Sequence, residues 1–348
     1  LRLAVRAGSI LEDDDQKGVA HFVEHMAFNG TEHFAKHELV DYFESIGMSF
    51  GPEINAYTSF DETVYMLEIP ADDPAILEKS LLVLHDWASA LSFESEEIEK
   101  ERGVVIEEWR LGRGAQGRLQ DKQIPFLFAG SRYAERLPIG DPEIIKTISR
   151  ERVVDFYKTW YRPELMTVVM VGDADTSVMK AAIEKILGPI PASKDGKKRT
   201  EYEVPARKDT GLLVLRDPEA SYTMAQMLEQ QPVQRMRTVA DFRRDLASGI
   251  AKSAFNARLT EKTVVAEPLM LAAEAGSQRI VNSAQLNYLF LVPTPGSFGA
   301  GFTQLLEELA RYENYGITES ELERSRVSML DSIRQAWLNR DKVESSNW

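Results

Sequence analysis

Residues 1–8 alternate apolar and polar side chains, the pattern of a half-buried strand. An acidic loop, LEDDDQKG, follows. GVAHFVEHMAF then predicts a short helix stopped by the turn residues Asn29-Gly30. HELVDYFESIG predicts a second helix, with Leu39, Tyr42, Phe43 and Ile46 on one face and Gly47 as its stop. EINAYTS and ETVYMLEIP are two β-rich runs separated by Phe60-Asp61, which predicts adjacent strands or a hairpin. DPAILEKSLLVLHDWASAL reads as a strongly amphipathic helix. ESEEIEKERGVVIEEWRLG reads as another, with Ser95 as its N-cap and acidic residues in its first turn. Residues 141–161 are expected to be largely helical, ELMTVVMVGDA a buried strand and SVMKAAIEKIL a helix.

At residues 189–211 the pattern lapses: Pro, Lys, Gly and charge dominate and apolar residues are few. This predicts an interdomain connection, dividing the chain into a domain over 1–195, a linker over 196–210 and a second domain over 211–348. Beyond it, GLLVLRD and SYTMAQMLE are expected as strands, with a long helix near 236–259. Two strands near 264–276 and 284–293 and two helices near 297–314 and 318–340 complete the order. That order loosely echoes the first 200 residues, so the pattern predicts two similar α/β domains. The chain opens directly on a strand-like run and closes on DKVESSNW after a helix; both ends read as cuts in a longer protein, leaving the second domain incomplete.

Composition narrows the partners more than the fold. A formal net charge of −14 argues against a nucleic-acid partner, which calls for clustered Lys and Arg. The absence of cysteine excludes disulfides, thiolate metal sites and cysteine catalysis. No apolar run approaches the roughly 20 residues of a membrane span.

Candidate chemistry lies with the five histidines. On a helix, His21 and His25 are separated by about 400°, so their imidazoles share one face and can reach one ion. Glu24 borders that face as a carboxylate that need not coordinate. A catalytic zinc takes three protein ligands and leaves a position for water, whose proton a neighbouring carboxylate can remove. The pattern H-x-x-E-H is the inverzincin signature. The second i,i+4 pair, His33 and His37, straddles the start of the next helix and has Lys36 beside it, which favours solvated or capping roles. His85, inside an amphipathic helix, reads as structural. Asn29-Gly30-Thr31 is formally a glycosylation sequon and carries little weight. A third ligand must come from elsewhere, and Glu97, Glu101 and Glu108 share one face of the helix at 95–112. Glu101 and Glu108 are about 10 Å apart along that helix, so they cannot both bind one ion. The other could orient a ligand histidine through a hydrogen bond. Val104, between them, suggests that this face is partly buried.

HFVEHMAFNGT, NAYTSFDETVY and ERGVVIEEW, in that order, resemble the M16 metallopeptidases, as do YAERLPIGDPEII and FYKTWYRPELMTVVMVGD further on. The likeness is strong over 1–190, weak over 200–340, and nearest to the bacterial PqqL-type zinc peptidases. The resemblance implies an α+β fold, each domain a mostly antiparallel sheet flanked by helices, the whole forming one half of a clamshell with an inactive second domain. It implies a zinc-dependent endopeptidase binding one Zn2+, with His21 and His25 as ligands and Glu24 as general base. In the family the ligand glutamate lies seven residues after the glutamate of an Glu-Arg pair. Here that pair is Glu101-Arg102, so the ligand is Glu108 and Glu101 supports a histidine. The spacing from His25 to Glu108 is several residues longer than the family's, part of the excess lying in SFGPEIN, and Glu101 remains the alternative ligand. The strand EINAYTS corresponds to an edge that pairs with substrate backbone, which places Asn55, Ala56 and Tyr57 beside the scissile bond. The implied partners are a peptide substrate and a second half, in the same polypeptide or a partner subunit, that closes a chamber. The implied compartment is the bacterial periplasm, with the cytoplasm as the alternative. The rival reading is a non-catalytic scaffold or binding subunit of the same fold.

Overall fold

The computed structural model describes residues 1–70, 73–193 and 195–347. They form two compact units, one of Leu1–Pro205 with the final residues from Glu344, the other of Ala206–Val343.

In the first unit the elements run β1 (Arg2–Val5), α1 (Val19–Met26), α2 (Glu38–Ser45), β2 (Ile54–Thr58), β3 (Thr63–Leu67), α3 (Pro74–Ser89) and α4 (Ser95–Leu111). Then come α5 (Ala115–Leu127), α6 (Pro142–Thr147), α7 (Arg150–Trp160), β4 (Met166–Val169) and α8 (Thr176–Ile186). The sheet order is β2-β3-β1-β4, every neighbour antiparallel. β2 and β3 pair as adjacent strands, Asn55 opposite Met66 and Tyr57 opposite Val64, as their alternation predicts. β2 is therefore an edge of the sheet.

Helix α1 forms because one face is continuously apolar. Val19, Ala20, Phe22, Val23 and Met26 are all buried, and each of the larger ones stabilises the fold by roughly 1.5–3 kcal/mol. The opposite face carries His21 and His25. Trp87 of α3, itself buried, donates its indole N–H to the carbonyl of Ala27 at 2.9 Å and so fastens the end of α1. At the other end Gly18 takes φ +99°, a left-handed conformation that glycine adopts without strain.

Several sequence expectations need correcting. Glu94, not Ser95, is the N-cap of α4, and it makes no side-chain cap bond; Ser95 is the first helical residue. Val104 is 52% exposed, so it does not bury the Glu101–Glu108 face; Ile98 and Val105 are the buried residues of α4. β4 is an edge strand with Val169 exposed rather than a buried strand, since β1 covers only one side of it. Helix α5 has no counterpart among the elements read from sequence; its only buried residue is Ile124, which leaves little amphipathic signal.

The second unit contains β5 (Ala225–Pro232), α9 (Val239–Thr263), β6 (Met270–Val281), β7 (Ala284–Pro293), α10 (Phe298–Tyr315) and α11 (Glu319–Asn339). Its sheet order is β5-β7-β6, again antiparallel. Phe255, Leu259, Met270, Leu289, Leu291 and Leu305 form its core between sheet and helices. GLLVLRD forms no strand. Leu212 and Val214 are exposed there, because an apolar run becomes a strand only when a neighbour accepts its backbone. Both units are antiparallel sheets flanked by helices, the α+β class expected.

Candidate metal centre

Two elements build the site: α1 supplies His21, Glu24 and His25, and α4 supplies Glu101 and Glu108. The Nε2 atoms of His21 and His25 are 3.2 Å apart. Glu108 Oε2 lies 3.6 Å from His21 Nε2 and 3.3 Å from His25 Nε2. Three ligand atoms on bonds of about 2.0–2.2 Å in a tetrahedron are separated by about 3.3 Å, so this triangle fits one zinc-sized ion. Glu101 is elsewhere. Its Oε1 lies 2.7 Å from His25 Nδ1, on the far side of the imidazole from that triangle. The hydrogen bond sets the tautomer of His25 with Nδ1 protonated and Nε2 turned toward His21 and Glu108. His21 Nδ1 is buried and has no hydrogen-bond partner among the described residues.

The electrostatics favour a positive charge at the same focus. Burial and the neighbouring His25 push His21 down to about 4. Burial also pulls on His25, but the hydrogen bonds it donates to Glu101 and Glu108 override it and raise His25 to about 9. Glu108, against some desolvation, is held below the usual carboxylate range by the same hydrogen bond to His25. One proton is thus held on His25 between a neutral imidazole and a carboxylate, where a cation of higher charge would be favoured more.

Glu24 is buried, at 8% exposure, and burial raises its pKa; a hydrogen bond from Thr58 Oγ1 at 2.5 Å opposes that rise and orients the carboxylate. Glu24, both histidines, Glu108 and residues 55–58 of β2 line one cleft of about 550 Å3. Backbone bonds from Glu68 N–H to Glu53 and from Ser59 N–H to Glu62 set the parity of β2. The backbone groups of Ala56 and Thr58 therefore face the open edge. Part of that edge is already engaged, as the Ala56 N–H donates to Asn55 Oδ1 at 2.8 Å. Tyr57 donates its hydroxyl to Glu62 Oε1 at 3.1 Å.

Sequence reasoning missed three supporting residues. Asn29 Nδ2 donates to the His25 carbonyl at 3.0 Å and to Glu101 Oε2 at 2.8 Å, and the side chain is buried rather than displayed as a glycosylation acceptor would be. Thr58 holds Glu24. Glu12 is fully buried, with burial raising it to about 8; its carboxyl oxygens accept the N–H groups of Gly18 and Ala20 at the start of α1. The inward parity of Thr58 in EINAYTS was a usable signal for the second; nothing local marks the other two. Of the second histidine pair, His37 has φ +70° at the N-cap of α2 and makes no cap bond, and His33 lies against α3.

A helix carrying HxxEH thus packs against a helix carrying two spaced glutamates, on an antiparallel α+β unit, and together they offer one focus of ligand atoms beside a buried carboxylate. The chain belongs to peptidase family M16: the insulinase (peptidase family M16) profile matches residues 1–112 and the M16 inactive-domain profile matches residues 147–329. It is 34% identical, over its whole length, to a zinc protease PQQL-like protein of Arabidopsis thaliana, of which it covers 34%. The solved first half of the periplasmic protease PqqL from Escherichia coli matches with a TM-score of 0.91 at 30% identity, covering 99% of this chain and 74% of that one. A protease from Helicobacter pylori shares the fold at a TM-score of 0.76 and 20% identity, over 99% of this chain and 81% of that one. The chain spans about a third of the length of the curated relatives it matches most fully, 34% to 37%. No helix among the described residues is long and apolar enough to cross a membrane.

Proposed function

We propose that this chain is the zinc-binding half of an endopeptidase that hydrolyses peptides or unfolded segments. The observation that carries the reading is the convergence of His21 Nε2, His25 Nε2 and Glu108 Oε2 beside a buried Glu24. His21, His25 and Glu108 are the ligands in this reading, and Glu101 orients His25. Bound there, zinc supplies Lewis acidity, which lowers the pKa of water toward 7 and polarises a carbonyl.

Glu24 acts as general base and then general acid. Its burial raises its proton affinity, which suits a group that must take a proton from water and return it to the leaving nitrogen. Thr58 keeps the carboxylate in one rotamer while it does so. Substrate backbone adds to the edge of β2, the groups of Ala56 providing main-chain bonds while Asn55 and Tyr57 contact alternate side chains. Both would exchange their present partners for substrate.

The chain covers only part of its relatives, and it matches the first half of one of them. We therefore assign completion of the chamber to a second half, in the same polypeptide or in a partner subunit. The periplasm, named for the Escherichia coli relative, is the compartment we favour.

Glu24→Gln in the full-length protein tests the reading. It is expected to lower kcat/KM on an unstructured peptide by about 10²–10⁴-fold with zinc content unchanged. Unchanged turnover would instead favour a non-catalytic scaffold.

A further inference from the structure

A second convergence of donors lies outside the cleft. His33 stands in the loop between α1 and α2, and His85 and Asp86 are consecutive residues of α3. Asp86 is fully buried. Its Oδ2 accepts Thr31 Oγ1 at 2.6 Å and the His33 N–H at 3.0 Å, which fixes the rotation of the carboxylate. Its Oδ1 is thereby turned toward two imidazoles, 2.8 Å from His33 Nδ1 and 3.1 Å from His85 Nδ1. One ligand atom from each of the three residues lies within 4.8 Å of the other two.

We propose that His33, His85 and Asp86 form a second divalent transition-metal site, with zinc as the ion that best suits the donors. Two imidazole nitrogens with one carboxylate oxygen suit zinc and its neighbours, whereas calcium and magnesium take oxygen ligands. Zinc-bound donors sit about 3.3 Å apart, so the two nitrogen–oxygen distances need to open by only a few tenths of an ångström. His33, on a loop and 43% exposed in its side chain, can supply that movement and the route of entry. The sign of the charge is right as well. Among the described residues, the only ion-pair partners of the buried Asp86 are these two histidines, and Glu32 adds negative charge beside His33. A buried carboxylate without a fixed cation is costly, and a dication supplies one.

Occupancy would clamp the loop after α1 onto α3. Thr31 of that loop forms a β-bridge with Leu91, and Asn29 two residues earlier holds the His25 carbonyl and Glu101. The second ion would thus steady the support of the first site without touching it.

The test counts zinc in the chain carrying His21→Ala and His25→Ala, which removes the first site. After equilibration with micromolar free zinc and gel filtration, about one zinc per chain is expected. Adding His33→Ala should reduce this to none, and an anomalous difference map at the zinc edge should show a peak between His33 and Asp86. His33 is the variant of choice because its side chain is exposed; circular dichroism and the melting temperature verify folding. Folded His21→Ala/His25→Ala protein that holds no zinc would overturn the proposal. So would zinc retained after both His33→Ala and His85→Ala. Neither result bears on the peptidase reading, whose two histidine ligands are already removed.

Discussion

Glu101 and Glu108 are chemically identical and lie on one helix, yet they meet opposite nitrogens of His25. Glu101 sits on Nδ1 at 2.7 Å; Glu108 faces Nε2 at 3.3 Å. If Glu108 is the ligand and Glu101 the support, the two substitutions should differ in size. Glu101→Gln should weaken zinc binding by about 10–100-fold, and Glu108→Gln by more. Competition against a chelator of known affinity measures both, and the reverse order would make Glu101 the ligand. The proton on His25 makes a further prediction. Its pKa is raised to about 9, so at neutral pH zinc must displace a proton. Affinity should therefore rise with pH toward that value, by about one decade per pH unit, and level off above it. Calorimetry in two buffers of different ionisation enthalpy would report the released proton. The identity of His21, Glu24 and His25 as candidates was legible from helical spacing alone. Asn29 and Glu12 were not, because their partners lie in the fold and no local period marks them.

At the level of elements, the position of α1 rests on what presses against its two ends. Gly140, at φ +75°, packs against Gly18; a Cβ there would lie 2.2 Å from Gly18 Cα and 2.5 Å from its nitrogen. Both obstacles are backbone, so neither can rotate away. Gly140→Ala should cost about 2 kcal/mol or more of stability and weaken zinc retention with it. Denaturant unfolding and metal analysis would show the two losses together. In the second unit Arg258 of α9 grips Glu321 of α11 with two bonds, 2.6 and 2.7 Å, and Glu321 also closes the capping box with Thr318. The hydrogen bonds from Arg258 lower Glu321 from its ordinary 4.5 to about 2. A depressed carboxylate stabilises the fold above its unfolded pKa and loses that contribution as pH falls through the folded one. Glu321→Gln should thus cost about 1 kcal/mol at neutral pH, from the cap and a solvent-screened pair. The difference from the parent should shrink between pH 4.5 and about 2, as followed by urea titration. Most long helices and the β2–β3 pair were readable from periodicity. α5, the exposure of β4 and the coil at GLLVLRD were not, since each depends on which neighbour does or does not cover it.

The chain as a whole holds two units of one class, and only the first carries HxxEH. If the chamber needs a second half, the chain by itself should bind zinc at His21, His25 and Glu108 yet hydrolyse unstructured peptides weakly or not at all. Metal analysis and a fluorogenic peptide assay on the isolated chain check this, and full turnover there would remove the need for the missing half. The resemblance to the M16 family implied the antiparallel α+β class; the sequence by itself determined the helix that presents His21, Glu24 and His25 and the acidic helix over 95–112. These follow from near-neighbour spacing, which helical and strand geometry convert directly into shared faces. Tertiary structure alone decided which glutamate meets which nitrogen of His25, and that Thr58 reaches Glu24. It alone brought His33 to His85 and Asp86. Those contacts join residues 34 to 83 positions apart, and no period in a sequence encodes how two elements pack.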